Sequence, residues 1–246
     1  MKIPRILFSA LPEAEQRLGL ILDQQLSTLP YYVTRFGNAA KLAEFSRASG
    51  TALPRGQTPG TPERDNYFSE SQKYIDWQHI ALRDAGSTVW DIAIHLHRMR
   101  ANRDKLPTIK AAMPGRALEN ALDMFSKTFP EAKAVRDSLA HPTDIVSSEG
   151  RQRENAVNGP FVGHGITMTD KAKLVSGLYS HNGQGVVIND GKIYNFEVTQ
   201  SSLDSLIAVR DAVFAAFEPA SKASFALYKP KTEAAQTAKD KPGGTQ

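Results

Sequence analysis

The chain has 246 residues, of which 41% are hydrophobic and 23% are charged, as in a globular protein of one large or two small domains. No apolar run approaches the roughly 18 residues of a membrane helix. Pro4 and Pro12 interrupt the short apolar start, so we expect no membrane segment, no signal peptide and a cytoplasmic location. The absence of cysteine excludes disulfides, thiol nucleophiles and cysteine-based zinc sites.

The positive charge is concentrated towards the C-terminus. The chain carries a net charge of +4, and residues 219–246 contribute +3 of it, through five lysines against Glu233 and Asp240. A broad phosphate-binding surface needs cations clustered on the folded body. The near-neutral remainder therefore argues against an extended nucleic-acid-binding face, although a small local patch of cations is compatible with it.

The N-terminal half is predicted to be helical. Residues 12–29 and 31–48 are expected to form two helices, with a Gly-, Pro- and Thr-rich loop at residues 50–66. The longest periodic segment covers residues 67–99 and predicts a helix about 50 Å long. Gly86 inside it indicates a close crossing by another helix. The predicted buried stripe consists of Tyr74, Trp77, Ala81, Ala85, Val89, Ile92, Leu96 and Met99.

Shorter elements follow. Helices are predicted at residues 116–129 and, after Pro130, at residues 131–140. Runs rich in Val, Ile and Tyr, separated by "HNGQ" and "NDGK", predict a three-stranded antiparallel β-meander at residues 173–199. A Ser201–Asp204 capping box is expected to begin a last helix whose buried stripe ends at Phe217.

These elements predict a mainly α fold. We expect one helical-bundle domain over residues 1–217, with the β-meander inserted before its last helix. A meander of this size is marginally stable alone, so it is expected to pack on the helices. Residues 218–246 have no sustained hydrophobic period and are expected to form a disordered basic tail.

The stretch "EAKAVRDSLAHPTD", residues 131–144, carries the candidate site. Arg136 and His141 are five residues apart, so on a regular helix they lie about 140° from one another and do not share a face. Pro142 disfavours the helical conformation at His141, which places the predicted helix end near Ala140. The imidazole could then turn towards Arg136, or the motif could meet its own copy across the two-fold axis of a dimer.

Such a pair suits metal-independent cleavage of RNA. A histidine transfers protons near neutral pH, and an arginine binds phosphate while always charged. His141 would assist attack of the ribose 2′-hydroxyl on the adjacent phosphorus, and Arg136 would stabilise the charge on the phosphoryl oxygens. This chemistry predicts a 2′,3′-cyclic phosphate product.

"RDSLAH" resembles the Arg-x4-His signature of the HEPN superfamily (higher eukaryotes and prokaryotes nucleotide-binding). "WQHIALRDAGSTVWDIAIHL", residues 77–96, and "FSKTFPEAKAVRDSLAH", residues 125–141, resemble uncharacterised bacterial HEPN-like proteins. The resemblance implies an α-helical bundle, a homodimer, RNA as the partner, and no metal or cofactor. It implies that Arg136 and His141 are catalytic and that Asp137 holds the auxiliary polar position, where asparagine is most typical. The β-meander departs from the family pattern.

A structural interpretation of the same residues stays open. Arg136 could pair with a carboxylate such as Glu131, and His141 could lie at the negative end of a helix, where a cation is favoured. The protein would then be a non-catalytic helical interaction protein with a protein partner. Elsewhere, His95 and His97 diverge by about 200° on a helix, so they cannot share a metal ion there.

Overall fold

The computed structural model describes residues 2–52, 61–140, 147–163, 166–170, 172–174, 178–181 and 184–228. The fold is mainly α, as predicted, with short antiparallel strands before the last helix. Within the described ranges the helices are α1 Glu13–Ala52, α2 Pro62–Asp104, α3 Pro107–Ala112, α4 Ala117–Thr128, α5 Ala132–Ala140, α6 Glu149–Asn155 and α7 Gln200–Ala226. In this part of the chain, none of the helices combines the length and apolar character needed to cross a membrane.

Helices α1 and α2 form a long antiparallel pair that supplies most of the core. Gln25 of α1 lies beside His95 and Asn102 of α2, whereas Gly50, near the other end of α1, lies beside Tyr74. Leucines and aromatic residues spaced by three and four fill the seam. The largest fully buried side chains of the pair are Leu22, Leu26, Leu29, Phe36, Leu82, Ile92, Leu96 and Met99. Burying each one stabilises the fold by roughly 1.5–3 kcal/mol.

The two helices predicted at residues 12–29 and 31–48 are one helix, so that boundary was wrong. Pro30 lies inside α1 and removes one helical hydrogen bond, at a cost of about 3 kcal/mol. Leu29 and Val33 on either side are 1% and 5% exposed. Burial of these two side chains contributes roughly 3–6 kcal/mol in total, which offsets the cost of an unbroken helix.

The loop predicted at residues 50–66 is also wrong at both ends. Residues 50–52 belong to α1, and α2 begins at Pro62. Thr61 caps α2, because its hydroxyl accepts a hydrogen bond from the backbone N–H of Arg64 at 3.4 Å. Residues 53–60 lie outside the described residues.

The close helix crossing predicted at Gly86 is confirmed. The crossing helix is α5, the helix that carries Arg136. A Cβ atom at Gly86 would lie 2.5 Å from Leu139 Cδ1 and 3.1 Å from Val135 Cγ1. Only a residue without a side chain lets α5 approach α2 this closely.

The predicted β-meander is confirmed, with a later start. It consists of β5 Leu178–His181, β6 Gln184–Asn189 and β7 Lys192–Glu197, paired antiparallel in that order. Asp190 and Gly191 form the β6–β7 turn with φ of 49° and 66°, the positive values that Asp-Gly accepts. The centre of β6 is almost fully buried, with Val186, Val187 and Ile188 at most 1% exposed.

Two smaller ladders precede the meander and were not predicted. Strand β1, Val157–Asn158, pairs with β4, Lys173–Leu174, so residues 173 and 174 belong to a separate ladder. Strand β2, Phe161–Gly163, pairs with β3, Ile166–Met168. Strands of two or three residues carry too few side chains to show a period.

The last helix begins earlier and ends later than predicted. Thr199 caps α7 by accepting a hydrogen bond from the Ser202 backbone N–H at 3.3 Å, so the Ser201–Asp204 capping box was wrong. The helix continues to Ala226, and the Ser224 hydroxyl accepts from the Leu7 backbone N–H at 3.0 Å. The predicted disordered tail is therefore wrong for residues 218–226, and residues 229–246 lie outside the described residues. One contiguous hydrophobic core extends from Ile6 to Ala220.

Replacing Gly86 with alanine is expected to destabilise the protein. Overpacking costs roughly 1–3 kcal/mol, which exceeds the roughly 1 kcal/mol that alanine gains over glycine in a helix. Gly50→Ala is the matched control, because its new Cβ would lie 3.6 Å from Tyr74 Cβ, an ordinary contact. Urea unfolding should show a lower free energy of unfolding for Gly86→Ala and an unchanged or higher one for Gly50→Ala. Equal stabilisation by both changes would contradict a tight crossing.

Candidate functional site

Helix α5 presents one of the two predicted catalytic residues. Arg136 lies in the middle of this helix, and its side chain is 38% exposed. His141 lies outside the described residues, which reach Ala140 at this point of the chain. The described part of the motif is therefore a half-exposed guanidinium and its chain neighbour Asp137.

Buried contacts hold α5 in place. Val135 is 2% exposed and packs at the Gly86 crossing. Ser138 is also buried, and its hydroxyl oxygen lies 3.0 Å from the carbonyl oxygens of both Ala134 and Ile188. The contact with Ile188 joins α5 to the central strand of the meander. The inserted meander thus supports the motif helix, a role that the sequence analysis did not assign to it.

The Arg136 guanidinium pairs with Asp137. Its Nη1 donates to Asp137 Oδ1 at 2.9 Å, and the Asp137 side chain is 33% exposed. Among the described residues Arg136 has no other hydrogen-bond or ion-pair partner, and Glu131, the partner considered in the structural interpretation, is not one. A guanidinium has five N–H donors, so hydrogen-bonding capacity remains on this partly exposed group.

A cleft of about 510 Å³ lies beside α5. Its buried floor includes Gly86 and Val89 of α2, Phe129 and Phe196, and its rim is polar. Val135 also lines this cleft, whereas Arg136, the next residue in the chain, does not. Sequence reasoning missed the cleft because its lining comes from separate parts of the chain, each of which contributes only a few residues. These parts are α2, the α4–α5 corner, β6, β7 and the start of α7.

His95 is a structural histidine between α1 and α2. Its Nε2–H donates to the Gln25 carbonyl oxygen at 2.7 Å, and its ring meets Tyr32 edge-on at 5.3 Å. Burial lowers the pKa of His95, helped by the charge of Arg98, while the hydrogen bond to Gln25 opposes this effect. His97 is exposed, so the two rings diverge as predicted. In the ranges that the structure covers, no three His, Asp or Glu side chains group as metal ligands.

No protein-family model matches the chain, and neither the curated proteins nor the solved structures include a significant match.

Replacing Arg136 with alanine is expected to leave stability nearly unchanged. Half-exposed ion pairs contribute about 0–1 kcal/mol, so the free energy of unfolding should fall by less than about 1 kcal/mol. Ser138→Ala on the same helix is the comparison, because it removes a buried hydrogen bond and should cost roughly 1–3 kcal/mol. Urea unfolding measures both changes. A loss of about 2 kcal/mol or more from Arg136→Ala would instead make this arginine structural.

Stability is expected to fall as the pH is lowered through the histidine range, in part because of His95. Its pKa is lower in the folded than in the unfolded chain, so the unfolded state binds the proton more readily. The contribution is complete above the unfolded pKa of about 6.5 and is lost as the pH falls below it. His95→Gln, which keeps an N–H donor, should reduce the slope of unfolding free energy against pH. The exposed control His97→Gln should keep the wild-type slope, and equal slopes for all three proteins would refute this role.

Proposed function

We propose that the protein is a HEPN-like RNA-binding protein that acts in the cytoplasm as a metal-independent endoribonuclease. The observation that carries this proposal is the placement of Arg136, half exposed on a helix that Gly86 and Ser138 hold rigidly. A guanidinium so placed can bind phosphoryl oxygens bidentately. His141 follows five residues later in the chain and supplies a group that transfers protons near neutral pH.

In the proposed reaction, His141 takes the proton from a ribose 2′-hydroxyl. The 2′-oxygen attacks the adjacent phosphorus, and the bond from phosphorus to the 5′-oxygen breaks. Arg136 stabilises the negative charge that grows on the phosphoryl oxygens, and Asp137 holds its guanidinium in place. The leaving 5′-oxygen takes a proton from solvent, so the products carry a 2′,3′-cyclic phosphate and a 5′-hydroxyl.

The active form in this proposal is a homodimer. Five residues of helix separate two side chains by about 140°, so one α5 does not direct both groups to one point. A two-fold axis beside the motif brings two copies together, and each arginine then faces a second motif. The arginine and histidine side chains can then meet at one point, which the spacing within one helix does not allow.

The test is cleavage of single-stranded RNA in the presence of a chelator. Arg136→Ala and His141→Ala should each reduce the cleavage rate by about 100-fold or more, since general acid–base catalysis contributes roughly 10²–10⁴. Lys133→Ala is the matched control, because it removes an exposed cation from the same helix. This control should keep the wild-type rate, and the products should end in 2′,3′-cyclic phosphate.

Identical products from the wild type and His141→Ala, including no products at all, would refute the catalytic proposal. Equal losses in Lys133→Ala and Arg136→Ala would show a dependence on total charge only. In that case the arginine would have no specific role.

A second candidate function is protein interaction without catalysis. The observation that favours it is the N-terminal part of α2, residues 62–80, which contains no buried residue. Phe68, Ile75 and Ile80 are 53%, 42% and 57% exposed there, and Phe45 of α1, also 53% exposed, stacks on Trp77 at 6.1 Å. Exposed apolar side chains grouped in this way are typical of a protein-binding surface.

The charges of this surface favour a protein over RNA as its partner. Residues 62–80 include four carboxylates against Arg64 and Lys73, a net charge of −2 that repels phosphate. Lys73 already lies 5.1 Å from the Trp77 ring centroid, and Arg64 lies 5.1 Å from that of Phe68. In this second candidate function the partner binds this surface, and the Arg136–Asp137 pair takes no part in catalysis.

A further inference from the structure

The cleft beside α5 has the size and the floor of a small-molecule site. Its volume of about 510 Å³ lies within the range of roughly 300–1,000 Å³ that such sites occupy. Two aromatic side chains, Phe129 and Phe196, are 7% and 8% exposed and form the floor together with Val89. The small part of this floor that stays exposed is apolar, so it favours contact with an apolar part of a ligand.

The rim of the cleft supplies hydrogen-bonding groups at fixed positions. Gln184 and Glu197 face one another across the β6–β7 ladder, and Gln184 Nε2 donates to Glu197 Oε1 at 3.2 Å. Among the described residues, the Glu197 side chain accepts no second hydrogen bond. Because an ionised carboxylate has about four acceptor positions, Glu197 can accept further hydrogen bonds from a ligand.

The charge of the rim excludes a phosphate as the group that enters the cleft. Glu131 and Glu197 contribute two negative charges against one positive charge from Lys127. A phosphate in the cleft would be repelled, whereas a neutral ring with N–H donors on its edge would be attracted. Guanine carries two adjacent donors, N1–H and the N2 amino group, that one carboxylate can accept together. Adenine and cytosine present one amino group next to an unprotonated ring nitrogen.

We propose that this cleft binds a guanine base and thereby selects the nucleotide at the cleavage position. In this proposal the base contacts the apolar floor, and Glu197 accepts hydrogen bonds from its Watson–Crick edge, as proteins read unpaired bases in RNA. Val135 lines the cleft and Arg136 follows it on α5. In this proposal the phosphate attached to the bound nucleotide extends from the cleft towards the arginine. This inference rests on the proposed function for its link to cleavage, but not for base binding itself.

The test has a binding arm and a cleavage arm, both with the full chain. The binding arm titrates guanosine and adenosine monophosphate and follows amide shifts by NMR. The wild type should bind the guanosine nucleotide more tightly. Glu197→Gln should weaken that binding about tenfold, equivalent to about 1.4 kcal/mol, and leave the adenosine nucleotide unchanged. Glu197 is exposed, so this change does not threaten the fold.

Glu149→Gln is the matched control, because this α6 carboxylate is also exposed and is not part of the cleft. It should bind both nucleotides as the wild type does. The cleavage arm uses RNAs that differ at one position, guanine against adenine. The wild type should cut the guanine substrate faster, and Glu197→Gln should abolish that preference.

The two arms separate failure of this inference from failure of the proposed function. Equal weak binding of both nucleotides by the wild type overturns the guanine site, as does an equal effect of Glu197→Gln on both. RNA cleavage without a base preference that depends on Glu197 also overturns it, while the proposed endoribonuclease stands. Selective guanosine nucleotide binding without any cleavage supports the guanine site and refutes the endoribonuclease.

Discussion

The close approach of α5 to α2 at Gly86 is the constraint on which the rest of the site depends. Leu139 and Val135 occupy the space that a side chain at Gly86 would need. Because α2 is buried against the core from Ala81 to Arg103, this contact fixes α5 relative to the largest part of the core. Arg136, one residue beyond Val135, is therefore presented from a rigid position, although it is itself half exposed. A rigid support is what a phosphate-binding guanidinium requires to act on one particular oxygen.

The β-meander completes this support from the opposite side. The Ser138 hydroxyl reaches the Ile188 carbonyl of β6, a strand whose centre is almost fully buried. The same meander provides Gln184, Phe196 and Glu197 to the cleft. One inserted element therefore holds the motif helix and forms much of the neighbouring pocket. This double role gives a physical reason for an otherwise helical protein to contain a small sheet.

Sequence reasoning succeeded where the signal was local. The Gly86 crossing and the Asp-Gly turn follow from a missing side chain and from the positive φ of turn residues. Helical periodicity predicts the buried stripe of α2 from Ala81 to Met99, but Tyr74 and Trp77, placed in the same stripe, are only partly buried. It failed at Pro30, because burial on both sides of the proline outweighs the lost hydrogen bond. It failed at the α7 cap, because Thr199 and Ser201 are both acceptable caps and only packing selects between them. The contact between Ser138 and Ile188, which are 50 residues apart in the chain, could not be predicted from local patterns.

The electrostatics of the body limit how the proposed RNA substrate could be held, because they leave short-range contacts as the main source of affinity. Asp137 neutralises part of the Arg136 charge, and residues 62–80 carry a net charge of −2. Non-specific binding to nucleic acid comes almost entirely from neutralised phosphates and weakens steeply with salt. A nearly neutral body gains little from that source. Apolar contacts and hydrogen bonds to a base edge are less sensitive to salt, because they need no long-range field. Under the proposed function, an RNA would therefore be selected mainly through contacts of one base with the cleft, and RNA lacking that base would gain little from the charge of the body.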